Sequence, residues 1–273
     1  INSQRAGPST GMPTKTEQSD LFQAVFGRNA DSPLVVLATR SPSDCFDVAI
    51  EAVRLATRYM TPVIVLTDGY ISNAAEPWLI PDVEDYEQTP VKFRTKPEGF
   101  KPFLRDEVTL ARPWAIPGTP GLEHRIGGLE KEDVTGNVCY DPDNHQHMTY
   151  VRGQKIENIC KDMPAQEVMG PESGDLLVLG WGSTYGACTT AVKQVQAQGL
   201  SVAHAHLRYL NPLPPELGDM LARYQQILIP ELNLGQLRFL IRAKYLVDAE
   251  GLNKVQGKPF LIHELIEHIE TLL

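Results

Sequence analysis

Four cysteines in 273 residues, Cys45, Cys139, Cys160 and Cys188, are too few and too scattered to make a CxxC pair. That spacing excludes a zinc site or an iron–sulfur cluster held by this chain alone. Single, widely separated cysteines predict buried apolar fillers in a reducing, cytoplasmic compartment. Basic residues are also short: 25 Lys and Arg face 34 Asp and Glu, for a formal net charge of −9 and a pI near 5.3. A chain so acidic lacks the basic patch that nucleic acid or an anionic membrane surface requires. No apolar run reaches transmembrane length, and no signal peptide is visible. Nucleotide fingerprints are missing too, since no glycine-rich stretch ends in GK[ST] or keeps the GxGxxG spacing. The remaining 42% hydrophobic content is ample for a large core, and the length allows two domains.

The stretch with most character is residues 4–21, QRAGPSTGMPTKTEQSDL. Gly7, Pro8 and Gly11 fall within five positions, with Pro13 close behind, and Ser9, Thr10, Thr14 and Thr16 are interleaved. Glycine supplies backbone conformations other residues resist and proline fixes the turns between them. The pattern predicts a tight loop with many free backbone N–H groups and short hydroxyls, suited to an anion or a small polar ligand. Arg5 adds a fork of donors that matches a carboxylate or phosphate. Thr16 or Ser19 is placed to cap a helix from about Asp20 to Phe26, which Gly27 would end. The same composition also describes an ordinary surface loop, and composition does not decide between the two.

Beyond the loop, Leu34–Ala38 (LVVLA) and Pro62–Thr67 (PVIVLT) are continuous apolar runs, and Phe46 to Tyr59 keeps helical spacing after a cap at Ser43 or Asp44. Strand, helix, strand with both strands apolar throughout implies a parallel βαβ unit covered on both faces. Asp68-Gly69 stands at the carboxyl end of the second strand, where open α/β sheets bind ligands, although a plain turn explains it as well. Residues 75–140 hold eight prolines, from Pro77 to Pro120, and little periodicity, so they predict a long strap. Its Trp and Phe residues demand that it lie on the first domain or on a partner. WAIPGTPG (114–121) suits a turn in the strap better than a ligand loop. Asp141 to Lys161 predicts a helix, on which His145 and His147 point to different faces and share no metal.

From Asp175 strands and helices alternate again: 175–181, a helix to Gly199, 201–207, a helix over 216–224, 226–230, a helix over 235–245, a short strand at 259–262 and a terminal helix over 263–273. Alternation with short links makes a second doubly wound α/β domain. GWGSTYG (180–186) lies between strand and helix, where a phosphate could sit on the helix N-terminus. It lacks the dinucleotide spacing and an acidic residue at the end of the next strand. Glu231 and Asn233 lie at a strand end, where packing and assembly are their expected roles.

RAGPSTGMPTKTEQSDL resembles the signature of the α subunit of 2-oxoacid:ferredoxin oxidoreductases, the 2-oxoglutarate type in particular. GWGSTYGA, LNPLP, ELNLGQL and the DPDNH helix start resemble the same family. The resemblance implies an α/β fold: the latter part of a thiamine-diphosphate pyrimidine-binding-type domain (residues 1–75), the strap and connecting helix (76–165), and a transketolase-C-terminal-like doubly wound domain (166–273). It implies an enzyme, active only as a complex, that oxidatively decarboxylates a 2-oxoacid to acyl-CoA and reduces ferredoxin. Its alternatives are a pyruvate or branched-chain 2-oxoacid enzyme, or a non-catalytic assembly piece. Thiamine diphosphate with Mg and a [4Fe-4S] cluster would belong mainly to the partner β subunit, with coenzyme A as co-substrate. The activating carboxylate would lie upstream of Ile1, on an upstream polypeptide or γ-type domain, because the family motif sits well inside the subunit. By the same resemblance Arg5 holds the carboxylate of the 2-oxoacid; the loop's hydroxyls put Ser9 and Thr10 beside the substrate or the thiazolium, with Gly7, Pro8 and Gly11 forming the loop beside the cofactor, and Lys15 is a candidate for the distal carboxylate or a plain surface lysine.

Overall fold

The computed structural model describes residues 1–86 and 90–273. The first part runs β1 (Asn2–Gln4), α1 (Leu21–Phe26), β2 (Val35–Ala38), α2 (Asp44–Arg58), β3 (Val63–Asp68) and α3 (Gly69–Asn73). A long connection follows, with short strands β4 (Phe93–Arg94) and β5 (Trp114–Ala115), and ends in α4 (Pro142–Asn158). The last part holds β6 (Val168–Met169), β7 (Gly174–Trp181), α5 (Tyr185–Ala197), β8 (Val202–Leu207), β9 (Tyr209–Asn211) and α6 (Leu217–Leu221). It closes with β10 (Tyr224–Glu231), α7 (Gln236–Tyr245), β11 (Glu250–Asn253) and α8 (Ile262–Leu272). No helix among the described residues is long and apolar enough to cross a membrane.

Two mostly parallel sheets result, ordered β1-β3-β2-β9 and β11-β10-β7-β8-β6. All four residues of β2 and the last six of β7 are buried, as unbroken apolar runs require of strands covered on both faces. On the outer face of the first sheet, Val35, Leu37 and Val65 pack against Val48, Leu55 and Tyr59 of the α2 segment. On its inner face Val36, Ala38 and Leu66 join Leu177, Leu179, Trp181 and Ile229 of the second sheet in one core, with α1, α6 and α7 between. The far face of the second sheet is closed by α5 and α8.

The strap lies on the first part of the chain. Trp78 stacks on Phe46 at 5.3 Å between centroids, Glu76 accepts from the Ser41 hydroxyl (2.7 Å) and Ser43 N–H (2.6 Å), and Trp114 donates to the Thr57 carbonyl at 2.9 Å. His145 and His147 each reach back to a separate strap carboxylate, Glu130 (2.6 Å) and Asp133 (2.8 Å).

Several expectations are corrected. Neither Thr16 nor Ser19 caps α1; its Phe22 N–H instead donates to the side-chain oxygen of Gln236, from α7, at 2.9 Å. The cap comes from a residue far away in sequence, which local reading cannot supply. Residues 259–262 form no strand before α8; the edge strand is Glu250–Asn253, pairing with β10. The helix expected over 216–224 is only Leu217–Leu221, since Tyr224 already begins β10. Residues 209–211 cross over to pair antiparallel with β2, so the first sheet takes its fourth strand from the far half of the chain. Of the cysteines only Cys188 is fully buried; Cys45, Cys139 and Cys160 are half-buried.

Candidate functional site

Parallel pairing of β1 with β3 puts Gln4 opposite Asp68, so the glycine-rich loop leaves from the carboxyl end of the first sheet. Its base is closed by three backbone bonds, Ala6 N–H to the Lys15 carbonyl (2.9 Å), Met12 N–H to Ala6 (3.0 Å) and Lys15 N–H to Met12 (3.1 Å). Gly7 N–H donates to the Glu17 carboxylate at 3.3 Å. Four of the eight backbone N–H groups between Ala6 and Lys15 are thereby taken, and those of Ser9, Thr10, Gly11 and Thr14 have no acceptor among the described residues.

Gly11 is required by the turn. Its φ is +52°, and a Cβ there would stand 2.0 Å from the Ala6 carbonyl oxygen. Ser9 (φ +56°) and Thr14 (φ +65°) hold left-handed conformations that glycine would adopt without strain, each costing on the order of 1 kcal/mol. Gly7 and Pro8 are exposed at the tip, and a Cβ on Gly7 would meet only open space.

The structure brings Arg5, Ser9 and Thr10 together and leaves Lys15 at the loop's other flank. Arg5 is exposed and its Nη1 donates to the Thr10 carbonyl, while both hydroxyl residues face solvent. Lys15 is exposed and lies against Gly257, where an added Cβ would come within 2.8 Å of Lys15 Cβ. Gly7 to Lys15 is exposed throughout, so the loop is a protruding wall rather than an enclosed pocket.

Immediately after it the chain dives inward, and Thr16, Glu17 and Gln18 are buried. Gln18 is fully buried and joins the loop to the second sheet by four bonds. Its backbone N–H meets the Leu232 carbonyl (3.0 Å), its Oε1 accepts from Leu232 N–H (2.8 Å), its Nε2 donates to the Trp181 carbonyl (2.7 Å), and its carbonyl accepts from Asn233 Nδ2 (2.8 Å). Thr16 donates to Asp68 at 3.0 Å.

Asp68 is more than a turn residue. Its Oδ1 caps α3 through Tyr70 N–H (2.9 Å) and Ile71 N–H (3.2 Å), and its Oδ2 accepts from Ser183 N–H (3.2 Å). A protein carboxylate thus occupies one of the amides that the GWGSTYG turn would offer to a phosphate. Glu231 is a packing residue within the chain. It caps α7 at Leu237 N–H (2.7 Å) and Arg238 N–H (3.0 Å) and accepts from Trp181 Nε1 (3.1 Å) and Asn233 Nδ2 (3.0 Å). Burial raises its carboxyl above the usual range, against the pull of those donors. Gln18 had no assigned role at the level of sequence and Thr16 only that of a helix cap; both sit inside the signature, but nothing in their type announces a structural seam.

No group of three or more His, Cys, Asp or Glu among the described residues could hold a metal ion. The loop's chemistry, a guanidinium, two free hydroxyls and a few amides, fits contact with a carboxylate or a polar cofactor edge. It does not fit a diphosphate–metal anchor, which needs carboxylate ligands.

Residues 1–139 match the family model described as "Pyruvate flavodoxin/ferredoxin oxidoreductase, thiamine diP-bdg". Over 274 residues the chain is 53% identical to the 2-oxoglutarate oxidoreductase subunit KorA of Mycobacterium tuberculosis, matching 100% of this chain and 42% of that protein. It is 31% identical over 278 residues to the 2-oxoacid:ferredoxin oxidoreductase 1, subunit alpha, of Aeropyrum pernix, across 97% of this chain and 43% of that one. Among solved structures, the 2-oxoglutarate:ferredoxin oxidoreductase from Magnetococcus marinus, with 2-oxoglutarate, coenzyme A and succinyl-CoA bound, superposes with a TM-score of 0.93 at 33% identity. That match covers 99% of this chain and 47% of the other. The chain spans less than half the length of each of these three.

Proposed function

Because the chain belongs to the pyruvate flavodoxin/ferredoxin oxidoreductase family of thiamine-diphosphate-binding proteins, we propose that it is part of the α subunit of a 2-oxoglutarate:ferredoxin oxidoreductase. In this reading the assembled enzyme decarboxylates 2-oxoglutarate oxidatively, passes the acyl group to coenzyme A and sends the electrons through iron–sulfur clusters to ferredoxin. The preference for 2-oxoglutarate over pyruvate draws on the names of the Mycobacterium tuberculosis relative and the Magnetococcus marinus structure. Residues 1–75 would be the latter part of the pyrimidine-binding domain, 76–165 the strap, and 166–273 the transketolase-C-terminal-like domain.

The observation that carries the reading is the placement of Arg5, Ser9 and Thr10. They share one exposed wall at the carboxyl end of the first sheet, anchored to the second sheet by Gln18. A wall without an opposite side suits a site completed by another subunit, and a β subunit carrying thiamine diphosphate and its Mg would complete it. Thiamine diphosphate supplies the electron sink for decarboxylation, and the chain's own part is to hold and orient the substrate. Arg5 would exchange its bond to the Thr10 carbonyl for a bidentate pair with the 2-oxoacid carboxylate. Ser9 and Thr10 would present hydroxyls and amides to the substrate or to the thiazolium edge, beside Gly7, Pro8 and Gly11. Lys15, on the flank, would meet the distal carboxylate.

Steady-state kinetics of the full complex with 2-oxoglutarate, pyruvate and a branched-chain 2-oxoacid test this. Arg5→Ala removes a charge-assisted contact of about 1.5–3 kcal/mol, so KM should rise roughly 10- to 150-fold for every 2-oxoacid. Lys15→Gln should raise KM for 2-oxoglutarate alone. If Arg5→Ala leaves both constants unchanged, the substrate role of the loop is wrong.

A further inference from the structure

Where the strap crosses the end of α2 lies a cavity of about 830 Å³, lined by Arg58, Lys92, Arg105, Arg112 and a single carboxylate, Asp106. On a chain of net charge −9 this is a local reversal of sign. Two of the four cations are paired outside the cavity and two are not. Arg58 pairs with Asp162 at 2.5 Å and Arg105 pairs with Asp133 through Nη1. Asp106 already accepts at Oδ1 from Val108 N–H (3.0 Å), Thr109 N–H (2.7 Å) and the Thr109 hydroxyl (2.9 Å), closing its own turn. Arg112 and Lys92 form no ion pair among the described residues.

Two features set this apart from a solvated basic face. The Arg105 side chain is nine-tenths buried (9% exposed), yet its Nε has no hydrogen-bond partner. Arg112 is half-buried, lies over the Phe103 ring at 4.6 Å from its Cζ, and forms no ion pair or hydrogen bond among the described residues. Proteins rarely bury a cation without pairing it, because desolvation is not returned by any other contact. Lys155 of α4 sharpens the imbalance. Burial and the fields of Arg105 and Arg112 push its ammonium down to about 8, and its nearest acceptor is the Met60 carbonyl at 3.5 Å.

We propose that this cavity binds a phosphate-bearing anion, with the Arg112 guanidinium holding it, the buried charge of Arg105 behind it and Lys92 closing from the exposed side. The ligand must bring two or more negative charges in a small volume and accept donors from several directions. A phosphate or diphosphate does this and a monocarboxylate does not. The group could come as free phosphate or on a nucleotide, and the chemistry at the guanidinium groups is the same. The inference goes beyond the proposed oxidoreductase activity and does not depend on it.

Titration calorimetry of the assembled full-length protein with pyrophosphate and with ADP, and succinate as control dianion, tests it. At least one phosphate ligand should bind roughly tenfold more tightly than succinate. Arg112→Met keeps the packing on Phe103 and should weaken that binding roughly tenfold. Lys92→Gln, at an exposed position with no fold to lose, should weaken it by a factor of about three. Equal affinity for pyrophosphate and ADP points to free phosphates as the source and tighter ADP to a nucleotide; both support the site. Failure of both ligands to bind, or binding that neither substitution weakens, overturns it.

Discussion

The Asp68 carboxylate and the Ser183 amide, 115 positions apart in the chain, meet at 3.2 Å. Through that contact the end of β3 is tied to the turn between β7 and α5, directly beneath the glycine-rich loop, which Thr16 binds to the same carboxylate. One side chain thus fixes the first sheet, the second sheet and the base of the loop.

Asp68→Asn should therefore unfold at lower denaturant. The amide places an NH2 group where N–H and O–H donors converge, and each buried donor left without an acceptor costs about 1–3 kcal/mol. Urea unfolding should show a loss of about 2–4 kcal/mol. An unchanged midpoint would mean the carboxylate does not hold these groups.

Gln18→Ala attacks the neighbouring seam. It strands the buried Leu232 N–H and leaves the Trp181 carbonyl with the Thr184 hydroxyl as its remaining donor, for a cost of about 1–3 kcal/mol. Gln18→Glu should be no better, since it keeps an acceptor for Leu232 but has no donor for Trp181. Denaturation monitored by Trp fluorescence reads both variants, and a wild-type midpoint for the glutamate would contradict the donor role of Nε2.

Gly11→Ala separates loop from scaffold. A methyl group there collides with the Ala6 carbonyl, so the loop must refold, while the seams below it stay intact. The thermal midpoint should move by no more than about 2 °C, and turnover of the full complex should fall at least tenfold, by roughly 1.4 kcal/mol or more in barrier. Full activity would remove the loop from the site.

His204 makes stability depend on pH. Its Nδ1 donates to the Val178 carbonyl at 2.9 Å, and burial pushes the imidazole down from 6.5 to about 4. The folded protein thus binds fewer protons than the unfolded chain between these values. Stability is complete above pH 6.5 and falls as the pH drops towards 4, by about 3 kcal/mol from this group. His204→Asn, which can still donate to Val178, should flatten the slope in that window. An unaltered slope would assign the effect elsewhere, first of all to His206, which is displaced in the same direction.

What sequence could and could not reveal follows from the range of each interaction. β2, β3, β7 and β10 are visible because each buried parallel strand carries a run of consecutive apolar residues, and the loop is visible because its turns demand glycine and proline. The strand at Tyr209–Asn211 is hidden: it has three residues, precedes a proline-rich segment and pairs with a sheet far away in sequence. Asp68-Gly69 shows the same limit, since a residue pair that reads as a turn gives no hint of a partner at Ser183. The α1 cap from Gln236 is of that kind too. The candidate residues were legible individually, through Arg5 and the hydroxyls, but the frame that holds them was not, because Gln18 looks like any polar residue until its four partners are known.

The crossing of β9 into the first sheet has a consequence for how the protein is made. β2 pairs with Tyr209 and Asn211, and the Asn211 side chain also donates to the Leu34 carbonyl at 2.6 Å. A ribosome that has delivered β1, β2 and β3 must still translate residues 69–208 before the edge of that sheet is covered. At cellular elongation rates this is on the order of ten seconds, during which β2 presents an open apolar edge to any other strand.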